Sequence, residues 1–186
     1  NALFNDLYGE GGEREVPVSE LEAAFQNDYV KGIYFAVSAP DGEEADMDQL
    51  KKDAERLAKQ VEDGQEMERV KADYLAGPDA EEPTEPSDTA VVVRKENATS
   101  TAQSAMAKGT AGQVQVVEGE DRYYVVQTLD VMSGDSFEQY RGTVLNNMKN
   151  DEFEELLSQW ANELSVEENS AAVNKHNPKH LKDLYK

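Results

Sequence analysis

The chain's 186 residues carry 39 Asp+Glu against 18 Lys+Arg, a formal net charge of −21. That excess argues against nucleic acid and against an anionic membrane surface as ligands, because both are bound through basic side chains. With 38% hydrophobic residues the chain can still bury a core, but no Cys and only two His remove thiolate metal sites, disulfides and most cysteine or histidine catalysis.

Residues 1–8 (NALFNDLY) read as the last turns of a helix, stopped by Gly9, Gly11 and Gly12. Val16-Pro17-Val18 is a short extended piece, since proline biases its predecessor toward β or polyproline geometry. Ser19 is then the expected cap of a helix carrying Leu21, Ala24 and Phe25. Residues 30–37 (VKGIYFAV) are β-branched and aromatic with no breaker after Gly32, which predicts a buried strand. Pro40-Asp41-Gly42 closes it as a turn.

From Asp46 the apolar period becomes helical, with Met47, Leu50, Ala54, Leu57 and Val61 on one stripe. Gly64 punctuates it, and Met67, Val70 and Tyr74 continue as a second, shorter helix. Residues 77–87 (GPDAEEPTEPS), rich in proline and acid, read as a solvated loop. Residues 90–93 form a short strand, and residues 100–108 an alanine-rich helix ended by Gly109. Residues 114–117, the turn Glu118-Gly119-Glu120-Asp121 and residues 123–131 read as a hairpin. From Ser136 a long helix follows, with Phe137, Tyr140, Val144, Met148, Phe153, Leu156, Trp160 and Leu164 along one side. Its charges Asp151, Glu152, Glu154 and Glu155 face water, and the stripe reads as core packing on the N-terminal helices rather than as a surface for unfolded chains. Ser165-Val166-Glu167 is extended, and Pro178 opens a final short helix through Leu181 and Leu184.

The order strand, helix, helix, strand, helix, strand, strand over residues 30–131 resembles the parvulin-type peptidyl-prolyl isomerase domain. The matching pieces are the strand VKGIYFAV, the Gly64-x-x-Met67-x-x-Val70 turn into the second helix, and Gly109 ahead of the hairpin ending RYYVVQTLD. With a helix before it and FEQYRGTVLNNMKNDEFEELLSQWANEL after it, the chain is similar to bacterial extracytoplasmic foldases built around such a domain. The resemblance implies an α+β fold, a parvulin-like four-stranded sheet with helices, flanked by an N-terminal helical segment and a long C-terminal helix. The implied parts are residues 1–29, the parvulin-like domain at 30–132, and a helical segment at 136–186 packing with the first. It also implies a bacterial cell-surface or membrane-anchored lipoprotein, held by a lipidated segment removed from ahead of Asn1.

The family carries a His in its first strand and another in its last; here those positions are Tyr34 and Tyr124. Its aromatic pocket wall has Thr99 as counterpart, and its glycine-rich second strand is replaced by residues 89–94 (TAVVVR). The resemblance therefore implies a polypeptide groove lined by Tyr34, Thr99, Met106 and Tyr124, with Tyr34 and Tyr124 in the catalytic positions. Isomerisation must lower an amide rotation barrier of ~20 kcal/mol by favouring the twisted state over the planar one. Tyrosine hydroxyls can still hydrogen-bond a twisted amide, but without the aromatic wall the prolyl slot is expected to be shallow. Tyr34 and Tyr124 also read as a cross-strand packing pair on adjacent strands.

The expected function is a foldase or chaperone binding unfolded or proline-containing secreted polypeptides through a degenerate isomerase site. The alternatives are an active peptidyl-prolyl cis–trans isomerase and a fixed-partner module of a surface or secretion complex. No cofactor, metal or nucleic acid is expected. His176 and His180 are four apart, but Pro178 between them places His176 outside the helix, and no third ligand is near. Asp79, Glu81, Glu82, Glu85 and Asp88 do not follow the EF-hand order. Asn97-Ala98-Thr99 is a glycosylation sequon by letter only, and the phosphate-loop, nucleophile-elbow and dinucleotide motifs are missing from the sequence.

Overall fold

The computed structural model describes residues 2–40, 44–77 and 90–164. Helices α1 (Ala2–Tyr8) and α2 (Val18–Asp28) lead into strand β1 (Tyr29–Ser38). Helices α3 (Met47–Glu62) and α4 (Met67–Ala76) follow, then β2 (Val91–Arg94), α5 (Thr101–Lys108), β3 (Val114–Glu118), β4 (Arg122–Leu129) and the long α6 (Ser136–Glu163). The fold is α+β, with the four strands in one antiparallel sheet in the order β2-β1-β4-β3. Residues 2–145 form one compact unit, and the chain from Asn146 onward, described to Leu164, forms another.

Alternation along the strands gives the sheet two apolar faces. On one, Ile33, Phe35 and Val37 of β1 and Tyr123 and Val125 of β4 meet the stripe Leu50, Ala54, Leu57, Ala58 and Val61 of α3, with Met67 and Val70 of α4. Asp46 starts α3 by accepting the Gln49 amide on its carboxylate at 3.1 Å, and Gly64, at φ 103°, makes the left-handed turn that separates α3 from α4. Tyr74 extends this core onto Phe35, ring centroids 5.5 Å apart, and its hydroxyl accepts the Ser38 amide at 3.3 Å. On the other face, Val30 and Val126 lie beneath Ala102, Ala105 and Met106 of α5.

An aromatic group joins α2, β1 and the start of α6. Phe25 is fully buried and lies 5.1 Å from Tyr29, 5.8 Å from Phe137 and 6.0 Å from Tyr140. Lys31 ties β1 to the same helix start, donating to the Ser133 carbonyl at 3.1 Å and to Ser136 Oγ at 2.9 Å.

Two readings change, and one element is added. Ser19 does not cap α2: the helix begins at Val18, Pro17 stands at the cap, and its carbonyl accepts from Glu20 and Leu21. A 3-10 turn at Lys95–Asn97 follows β2, and Lys95 Nζ donates to the Asn27 carbonyl at the end of α2 at 2.7 Å. Along α6, Phe137, Val144, Leu145, Phe153 and Leu156 are buried, whereas Met148, Trp160 and Leu164 are exposed. Leu145, beside Val144, is buried, whereas the expected Met148 is not. The expected turn at 41–42, the loop from residue 78, the extended piece 165–167 and the helix after Pro178 lie outside the described residues.

Candidate functional site

Tyr34 of β1 is paired with Val126 of β4, and Tyr124 with Ala36. Paired residues in an antiparallel sheet share a face, so the two tyrosines are diagonal neighbours on the face that carries α5. Both are half-buried and pack against the cluster of Val30, Ala102, Ala105, Met106 and Val126, as does Val117 of β3. The eight residues of α5 rise about 12 Å, against about 33 Å for the ten of β1. The helix therefore covers only part of this face and leaves Tyr34, Ala36, Val117 and Tyr124 as a half-open apolar surface beside it.

Close approach and side-chain bonds fix α5 in place. A Cβ at Gly32 would collide with Met106 Sδ, so glycine there lets the methionine lie directly on β1. Thr128 Oγ1 donates to the Met106 carbonyl at 3.2 Å and Gln115 Nε2 to the Ala105 carbonyl at 3.3 Å, so β3 and β4 satisfy the last turn of the helix. At the other end Ser100 Oγ accepts the Gln103 amide at 3.2 Å, and Ser104 Oγ donates to the Ala98 carbonyl at 2.8 Å.

Near the hairpin turn, a Cβ at Gly119 would stand 3.0 Å from Tyr124 Cε2 and 3.3 Å from Arg122 Cγ. Arg122 pairs with Ser38, which puts it on the tyrosine face. Its guanidinium forks onto Asp121 at 2.6 and 2.9 Å. That bond holds the Asp121 carboxyl below its ordinary range and raises Arg122. Tyr123, facing the α3 core, has its phenol pushed up by burial and then by the Glu118 carboxylate.

Of the residues expected to form the groove, Tyr34, Met106 and Tyr124 come together in one cluster. Met106 is 0% exposed, so it supports the surface from below and offers no atom to a ligand. Thr99 is exposed ahead of α5, its amide donating to the Asn97 carbonyl at 2.9 Å, and it is not part of the cluster. Ala36, Val117 and Arg122 join the face and were not singled out from sequence. Counting by two from Tyr34 and from Tyr124 would have found Ala36 and Arg122. Neither tyrosine hydroxyl has a hydrogen-bond partner among the described residues.

A second concavity of about 510 Å³ lies between α3 and α4, lined by Asp53, Arg56, Leu57, Val70, Asp73 and Tyr74. Its Arg56 pairs with Asp53 at 3.4 Å on an exposed surface. Among the described residues no group of three or more His, Cys, Asp or Glu is arranged to hold a metal ion, and no helix is long and apolar enough to cross a membrane. His176, His180 and the acids at 79–88 lie outside the described residues.

No protein-family model matches the chain, and no curated protein sequence matches it. Among solved structures it is similar to PrsA from Bacillus subtilis, with 16% identity, a TM-score of 0.42, and coverage of 83% of this chain and 58% of that one. It is also similar to the peptidylprolyl isomerase PrsA from Bacillus anthracis, with 12% identity, a TM-score of 0.38, and coverage of 82% and 68%. The chain thus spans 58% of the length of the first of these structures.

Proposed function

We propose that this chain is a parvulin-like extracytoplasmic foldase or chaperone, which holds unfolded or proline-containing polypeptides against the face bearing Tyr34 and Tyr124. One observation carries the reading: Tyr34 and Tyr124, which the resemblance sets at the family's histidine positions, are diagonal on one half-buried face, beside a helix too short to cover it. An apolar platform of Tyr34, Ala36, Val117 and Tyr124 suits side chains of weak sequence preference, such as an unfolded chain presents. The net charge of −21 favours basic and neutral clients and makes their on-rate salt-dependent. Attachment to a membrane through a lipidated segment ahead of residue 1 belongs to the same proposal.

A second reading, an active prolyl isomerase, is favoured by the two hydroxyls, which have no hydrogen-bond partner among the described residues and so are open to a substrate amide. Cis–trans exchange of an Ala-Pro peptide, followed by NMR with and without the protein, separates the two. Acceleration that disappears in Tyr34→Phe/Tyr124→Phe makes the face catalytic. Peptide resonances that shift without acceleration, and recover in Tyr34→Ala/Tyr124→Ala, leave a binder. No shift and no acceleration with any unfolded polypeptide tested would sink both, and would turn attention to a fixed partner.

A further inference from the structure

Among the described strands β3 pairs with β4 alone, so its other side is an open edge. The Gly119 amide donates to the Arg122 carbonyl at 2.8 Å, and the Thr128 amide to the Gln113 carbonyl at 3.0 Å. Residues that bond across an antiparallel ladder alternate with residues turned away from it. Gln115 and Val117 therefore bond toward β4, whereas Val114, Val116 and Glu118 turn their amides and carbonyls to the open side. Side chains fix the strand from both faces: Val114 and Val116 pack on the α3 core, Val117 on the α5 cluster, and Gln115 bonds the Ala105 carbonyl. The strand (VQVVE) holds no lysine or proline, the residues that blunt such an edge.

This edge continues the tyrosine face. Ala36, Tyr124 and Val117 are register partners in one row across β1, β4 and β3. A strand added to β3 would set a side chain in that row about 10 Å from Tyr124. Carboxylates crowd one end of the edge. Within residues 118–122 stand Glu118, Glu120 and Asp121, and the one cation, Arg122, already forks onto Asp121. Asp48 and Glu55 of α3 add their charge at the neighbouring Tyr123. We propose that a client polypeptide binds as an added strand on β3, with alternate apolar side chains on the two faces of the sheet and a basic residue beside Glu118. The inference rests on the proposed polypeptide-holding function and names what is held: the client's backbone amides as well as its side chains.

The probe is the peptide Lys-Lys-Val-Thr-Val-Thr-Val, compared with two versions N-methylated on one or the other alternate set of amides, which keep every side chain. Strand addition predicts that the parent peptide slows hydrogen exchange of the Val116 and Glu118 amides, read by NMR. The version whose blocked amides face β3 should bind about tenfold more weakly, and the other should bind like the parent. Replacing the lysines by glutamates should also weaken binding at low salt. Binding that leaves the Val116 and Glu118 amides exchanging as in the free protein, or equal affinity for all three peptides, overturns strand addition and leaves the tyrosine-face reading standing. No binding of this peptide or of any unfolded polypeptide overturns both. Protection of Val116 and Glu118 already in the free protein also overturns strand addition by a client, because the chain itself or a second copy then fills the edge.

Discussion

Met106 Sδ occupies the space that a side chain at Gly32 would need, and Met106 Cγ stands 2.8 Å from where a Cβ would be. The opposing Gln127 carbonyl crowds the same point. Gly32→Ala should therefore cost about 1–3 kcal/mol by overpacking, and Met106→Ala about 2–5 kcal/mol by leaving a cavity. Because the two changes share one contact, the double variant should lose less than the sum of the singles. Urea unfolding of the four proteins checks this. Strict additivity would mean that α5 does not rest on Gly32.

The two helix starts make a paired test. Asp46 accepts the Gln49 amide, so Asp46→Ala should cost about 1 kcal/mol, and Asp46→Ser should be nearly neutral. Ser19 makes no capping bond, since Pro17 precedes α2 directly, and Ser19→Ala should shift stability by no more than about 0.5 kcal/mol. Thermal melts of the three variants would reveal a reversed order if α2 began at residue 20 instead.

Tyr123 sets an alkaline limit. Its phenol is raised above the ordinary value of 10.0, by burial first and by Glu118 second, so the fold prefers the neutral form. That contribution is fully present below the unfolded value and is lost as pH rises through the folded one. Urea midpoints should therefore fall from about pH 10 upward, and less steeply in Tyr123→Phe. A fall of equal slope in that variant would move the cause to another group.

Lys31 anchors β1 to the segment that begins α6, through Ser133 and Ser136. Lys31→Met keeps the aliphatic stem and removes the charged donor, which should cost about 1–2 kcal/mol. In that background Ser136→Ala should cost less than in the parent, because its hydroxyl has lost the ammonium and keeps only its 3.0 Å bond to the Ser133 carbonyl. A double-mutant cycle by urea unfolding would count against the anchor if the two losses simply added.

Periodicity made most of the architecture legible. The stripe from Leu50 to Val61 and the alternation around Tyr124 each follow from one local period, and the observed elements begin and end within a residue or two of those readings. What escaped depends on contacts between distant residues. Lys95 reads as a surface lysine until the end of α2 arrives beneath it, 68 positions away in the chain. Met106 reads as a groove residue until Gly32 draws it fully inside. Tyr34 and Tyr124 were placed on adjacent strands from sequence, but their diagonal relation needed the register, which a slip of one residue would have destroyed.

Tyr140 has a consequence beyond the aromatic group. Its hydroxyl donates to the Val92 carbonyl at 3.4 Å, and β2, the strand it reaches, is an outermost described strand built of Val91, Val92, Val93 and Arg94. A bare valine edge is a template on which a neighbouring molecule's strand can zip. Through Tyr140 the first turns of α6 take up one backbone acceptor of that strand, so pairing there would have to displace the phenol.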